Sequence, residues 1–190
     1  MRIGLNIVGR LPNVMNVPED ILDFMRRWRN KSTGYDYTRV EDCFDGFFTA
    51  FVLYNFLYDL ICEYDPAHSP QAGDRTRATE VVLSFLGSNA IATNSHLRLS
   101  ADSIRQLVEN GTFYLRGNAW DAEKVSGLAS NDSQIWANAL LYILYQIRCN
   151  IFHGRKSLQP QQKRILVPSI TALETLNDML MHRIAGNGVY

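Results

Sequence analysis

The chain has 190 residues, 46% of them apolar, with 19 basic and 19 acidic side chains. That length suits one domain whose core buries about 70% of the unfolded surface, and the balanced charge excludes a whole-molecule field for holding a polyanion; any nucleic-acid contact has to come from a local patch or a dimer cleft. Cys43, Cys62 and Cys149 lie in or beside apolar helical stretches with no paired spacing, which excludes a disulfide framework and reads as reduced thiols.

Residues 1–17 read as a loosely ordered lead. Gly4, Asn6 and Gly9 interrupt any apolar run, so neither a signal peptide nor a membrane anchor is expected there, and a cytoplasmic location follows by default. Pro18, Glu19 and Asp20 form a helix start, and Ile21, Leu22, Met25 and Trp28 recur at helical spacing. The basic cluster Arg26, Arg27, Arg29 and Lys31 at the end of this helix fits a solvated face better than a phosphate site, because cations suit a helix C-terminus.

A second helix spans Val40 to Tyr64; from Phe47 onward it is almost wholly apolar except for Asn55, Asp59 and Glu63, which lay a polar stripe every four residues. The stripe argues against a membrane span. It either faces solvent or faces an arginine and a histidine further along, where Asp59 or Glu63 could hold the arginine or orient the imidazole. Residues 65–73 form a loop, 75–86 a helix closed by Gly87, and 88–99 a mixed segment. A zinc site from His68, His96 and a cysteine lacks any recognised ligand spacing, and no metal is expected. Ser100 is the expected N-cap of a helix over 101–109 that Asn110-Gly111 ends, residues 112–115 carry enough β-propensity for a short strand or an extended crossing, and residues 120–128 form another short helix.

The organising stretch is Gln134 to Lys156. Between Ala137 and Ile147 only Asn138 and Gln146 are strongly polar, so this helix must be covered on most of its surface. It carries Arg148 and His153 into its last turns and meets Gly154, which suits the position just past a helix end. Beyond it Arg155, Lys156, Lys163 and Arg164 make a candidate phosphate surface or an ordinary polar loop, and Pro168 and Ser169 are expected to open a last helix with the stripe Ile170, Leu173, Leu176, Leu180, Ile184.

The run Arg148-Cys-Asn-Ile-Phe-His153-Gly154 resembles the motif of the HEPN superfamily, in the branch related to abortive-infection proteins. Cys149 stands where that branch usually has a polar residue. The resemblance implies an all-α, HEPN-like bundle, a two-fold homodimer, RNA as substrate, and a metal-independent, cofactor-free endoribonuclease of toxin or antiviral-defence type with an antitoxin or defence-system partner. Its products would end in a 2′,3′-cyclic phosphate. Carried onto this sequence, Arg148 and His153 are catalytic, with Asn150 as a hydrogen-bond donor; Cys149, Asp59, Glu63 and Asn55 would support them, and Arg155 and Lys156 would bind RNA. The alternative is a non-catalytic HEPN-like module that dimerises and binds RNA or a protein.

The residue types suit that chemistry. RNA carries its own 2′-hydroxyl nucleophile, so the protein has to supply a base, an acid and a cation for the phosphorane. Histidine serves as base or acid near neutral pH, and arginine offers a permanently charged planar fork. One chain offers one such histidine, and an isologous dimer would bring two, while also covering the apolar side of the central helix. The expected fold is five to seven helices with 47–63 packed beside 134–153.

Overall fold

The computed structural model describes residues 15, 17–68, 71–152 and 159–186. They form an all-α fold, with no strand among the described residues: α1 (Glu19–Ser32), α2 (Val40–Tyr64), α3 (Asp74–Thr76), a π turn (Arg77–Val81), α4 (Val82–Leu86), α5 (Ser88–Thr93), α6 (Ser95–Glu109), α7 (Asn118–Leu128), α8 (Ser133–Phe152), a 3₁₀ turn (Pro160–Gln162) and α9 (Lys163–Ala185). Helices α3 and α4 with the π turn between them make one continuous rod over 74–86.

Helices α2 and α9 form the spine. Leu53, Leu57 and Ile61 of α2 and Ile170, Leu173 and Leu176 of α9 are fully enclosed, and α2 and α9 share the most extensive contact in the fold. Asn177, buried in α9, donates to the Ala50 carbonyl at 2.9 Å, a polar tie inside an apolar contact. Gly46 lets the Tyr37 ring come close against the α2 backbone, since a Cβ there would lie 2.6 Å from Tyr37 Cε1.

Helix α2 is the one described helix long and apolar enough to cross a membrane by length and composition, and most of its apolar window is buried inside this fold. It is a core helix here, packed against α1, α9 and the π turn. Helix α8 belongs to a second layer. Its neighbours are α7, α5 and the π turn, and from Trp136 to Asn150 every residue is buried or half-buried within the one chain. Two expectations change as a result. The rod over 74–86 lies between α2 and α8, so these two helices do not pack side by side along their length; and the apolar surface of α8 from Trp136 to Ile147 is covered within the one chain, leaving Ile135 and Phe152 exposed at its two ends.

Several boundaries differ from the sequence reading. Asn94, and not Ser100, caps α6: its side-chain oxygen accepts from the backbone N–H groups of His96 and Leu97, while Ser100 is buried one turn further on. Pro168 sits inside α9 and does not open it; the helix starts at Lys163 behind the Pro160 turn, and the Arg164 carbonyl that loses its partner belongs to an exposed residue that water can serve. Residues 112–117 form an irregular crossing with no strand, because their backbone donors are taken by a side chain: the N–H groups of Leu115, Arg116 and Gly117 all point at the Asp121 carboxylate, at 2.9, 2.9 and 3.1 Å. Of the expected lead, Met15 and Val17 pack on the core and Met15 N–H donates to the Ile184 carbonyl at 3.0 Å; residues 1–14 and 16 lie outside the described residues. The start of α8 is capped by Asp132, in the run 130–133, whose carboxylate accepts from Gln134 and Ile135 N–H.

Candidate functional site

Arg148 lies on the penultimate turn of α8 and turns toward the rod and the first half of α2. Its guanidinium is bounded by rings, with Cζ 4.8 Å from the Phe152 centroid and 5.6 Å from those of Phe51 and Tyr145. Each contact attracts a cation to a ring face. Phe152 in turn stacks on Phe48, with centroids 4.8 Å apart and planes within 6°. Phe48 and Phe152 stay 49% and 39% exposed, so the arginine borders an aromatic pair that faces solvent.

The acid opposite Arg148 is Asp74, the first residue of the rod, with Oδ2 3.6 Å from Nη1. Asp74 is held from both sides. The Tyr145 hydroxyl of α8 donates to Oδ2 at 2.9 Å, and the Tyr58 hydroxyl of α2 donates to Oδ1. Burial together with the neighbouring Asp74 carboxylate pushes both tyrosines well above the usual phenol range, so both remain protonated donors.

The polar stripe of α2 divides at this point. Asp59 does not hold Arg148: it pairs with Arg77 of the π turn and accepts from Asn55 Nδ2 at 3.0 Å. Burial raises the Asp59 carboxyl above its ordinary value, and Arg77 opposes that rise. Asn55 reaches the arginine only indirectly, through Tyr58, whose hydroxyl also lies against Asn55 Oδ1. Glu63 is exposed, one turn beyond the network. The stripe therefore braces the rod, and the rod presents Asp74 to Arg148.

Asn150 does not join Arg148. Two residues along an α-helix turn about 200°, which sends Asn150 to the opposite side of α8. There it is 3% exposed and spent: Nδ2 donates to the Leu115 carbonyl at 2.7 Å, and Oδ1 accepts from Gln146 Nε2 at 3.0 Å. It clamps the crossing over 112–117 to α8 and cannot turn to a ligand, which corrects its expected role as a donor in the cleft. Cys149, half-exposed, sits between the two faces. His153, Arg155 and Lys156 lie outside the described residues, as does Gly154. Of the other expected basic residues, Lys163 donates to the Thr38 carbonyl at 2.9 Å and Arg164 is exposed. The basic end of α1 is engaged within the fold: Arg26 pairs with Glu19 and Asp23, Arg29 binds Asp178 of α9 through Nε and Nη2, and Lys31 lies over Trp28.

Sequence reasoning placed Arg148 but missed Asp74, Tyr58 and Tyr145. An acid in the first turn of a helix is an ordinary feature, and no spacing links residue 74 to residue 148. Among the described residues no group of His, Cys, Asp and Glu could hold a metal ion. The geometry defines a helical domain with one aromatic-framed arginine, opposed by a fixed carboxylate, at the end of an enclosed helix. Comparison with protein-family models, with curated proteins and with solved structures gives no match.

Proposed function

We propose that this helical domain acts on RNA in the manner of HEPN ribonucleases, as a metal-independent endoribonuclease of toxin or antiviral-defence type working in the cytoplasm. The observation that supports the reading best is the setting of Arg148, whose side chain makes no hydrogen bond among the described residues and stays 20% exposed beside the solvent-facing Phe48–Phe152 pair. A guanidinium with donors to spare suits a phosphate, and exposed rings beside it suit the faces of unpaired bases.

In this reaction His153 removes the 2′-hydroxyl proton, the O2′–P bond forms, and Arg148 stabilises the charge on the phosphorane oxygens. The P–O5′ bond then breaks, a histidine of a second copy protonates the departing oxygen, and a 2′,3′-cyclic phosphate remains. The dimer in this scheme is required by the proton count and not by any need to cover α8. A non-catalytic module that binds RNA or a protein partner is the second reading. It is favoured by the burial of Asn150 and by the Asp74 charge facing Arg148, both of which give the helix end a structural role.

The test is incubation of total RNA in EDTA with the wild type, Arg148→Ala and His153→Ala. Cleavage by the wild type alone, leaving cyclic phosphate ends, is the expected result. Equal cleavage by all three, or cleavage that needs magnesium, removes the assignment; RNA binding without cleavage selects the second reading.

A further inference from the structure

We propose that Asp74 is the positioning residue for Arg148: it orients the guanidinium by charge while leaving the hydrogen-bond donors of the fork for a phosphodiester. The proposal rests on the reading that Arg148 meets RNA. Arginine and a carboxylate in contact usually close into a two-bonded fork, as Arg29 and Asp178 do here. Arg148 and Asp74 do not. Nη1 stays 3.6 Å from Oδ2, within reach of charge attraction but beyond a normal hydrogen bond, and Nε is buried with no hydrogen-bond partner among the described residues.

The cause is visible on the acid. Each carboxylate oxygen of Asp74 accepts from a tyrosine, Oδ1 from Tyr58 and Oδ2 from Tyr145, on helices to either side. These two bonds hold the carboxylate in an orientation that leaves Oδ2 3.6 Å from Nη1. Asp59, the other acid of the network, is taken by Arg77, so it does not compete for Arg148. Phe51, Tyr145 and Phe152 then limit the guanidinium on its faces. The result is a cation drawn toward Asp74 whose Nη groups close no hydrogen bond among the described residues, and a phosphodiester offers two oxygens in the plane that such a fork recognises.

The test compares Asp74→Asn, Tyr145→Phe and the control Asp178→Asn, a carboxylate that pairs with Arg29 outside this network. In 15N-labelled protein the Arg148 Nε–H resonance is assigned by its loss in Arg148→Lys. Asp74→Asn is expected to shift and broaden it, and Asp178→Asn to leave it in place; an unmoved resonance in Asp74→Asn overturns the positioning role whatever happens to RNA.

Binding of a fluorescent single-stranded RNA in EDTA supplies the second readout. Asp74→Asn is expected to bind about fivefold more tightly, the size of a half-exposed charge pair removed, and to cleave more slowly because the fork is no longer held. Tyr145→Phe keeps the charge but frees Oδ2 to close on Nη1, so it should bind more weakly. The same direction of change in both variants overturns the idea that the tyrosines keep the fork open. Unchanged RNA binding and cleavage in Arg148→Ala sinks the RNA reading itself, and the resonance then decides the positioning role alone.

Discussion

Replacing Asn150 with alanine separates a structural role from a catalytic one. The substitution takes the donor from the Leu115 carbonyl, 2.7 Å away, and the acceptor from Gln146. Leu115 is 4% exposed, so its carbonyl has little access to water as a substitute. A buried polar group left unpaired costs about 1–3 kcal/mol. The void left by the missing amide adds about 1 kcal/mol. With about 3 kcal/mol lost, and about 2–4 °C of melting temperature per kcal/mol for a domain of this size, the midpoint should fall by about 6–12 °C. Thermal unfolding followed by circular dichroism measures it. Gln146→Ala, which removes only the half-exposed partner, should shift the midpoint far less. RNA cleavage per folded molecule should be unchanged in Asn150→Ala at a temperature well below the transition. A melting curve superimposable on the wild type, together with lost cleavage, would refute the reasoning and return Asn150 to the reacting centre.

The remaining predictions concern packing and pH. Gly127 of α7 faces α8 so closely that a methyl group on it would lie 2.7 Å from Ala139 Cβ; Gly127→Val should cost about 1–3 kcal/mol in chemical denaturation, and Ala139→Gly should recover part of that loss. Glu174 lies beside Tyr37 in α9, and burial raises its carboxyl above the ordinary value of 4.5, against the pull of Arg29. Because the folded state then holds this proton more tightly than the unfolded chain, stability falls as pH rises from the ordinary value through the raised one, and the penalty is fully present above it. Glu174→Gln should therefore be more stable than the wild type at neutral pH and equal to it below the unfolded value; urea midpoints across that range check the sign, and a wild type that gains on Glu174→Gln as pH rises would reverse it.

Much of the fold was legible because its signals are local. Pro18 with the acids behind it marks α1, the apolar run over 40–64 marks α2, and Asp132 in the run 130–133 marks the start of α8. The misplacements arise where a local signal had an equal competitor nearby. Asn94 and Ser100 are both good caps, and only the burial of Leu97 and Ser100 decides that the helix begins at the earlier one. Pro168 is a strong helix opener until a preceding turn at Pro160 supplies an earlier start. The site was half legible for a different reason. Arg148 announces itself as a charge on an apolar helix, but which acid answers it depends on the rod that separates α2 from α8. The sequence stripe offered Asp59 and Glu63 at the right periodicity; the fold assigns Asp59 to Arg77 and leaves Glu63 in solvent.

The π turn over Arg77–Val81 gives that rod two phases. A π turn accommodates one residue more than an α turn, and each residue of an α-helix is worth about 100° of rotation. Ahead of the bulge the rod shows Asp74 to the polar network, and the first residue of the bulge adds Arg77; behind it the rod shows Val82, Leu83, Phe85 and Leu86 to the core. Tyr54 of α2 marks the junction by donating to the Ala78 carbonyl at 2.6 Å. Losing one codon inside the bulge would restore an ordinary helix, keep every hydrophobic residue of its second half in place, and swing the first half by about a quarter turn. Asp74 would then leave Arg148 without being substituted. The one-residue insertion acts as the index mark of the site: the partnership between positions 74 and 148 depends on the count of residues between 77 and 81 as much as on their identity.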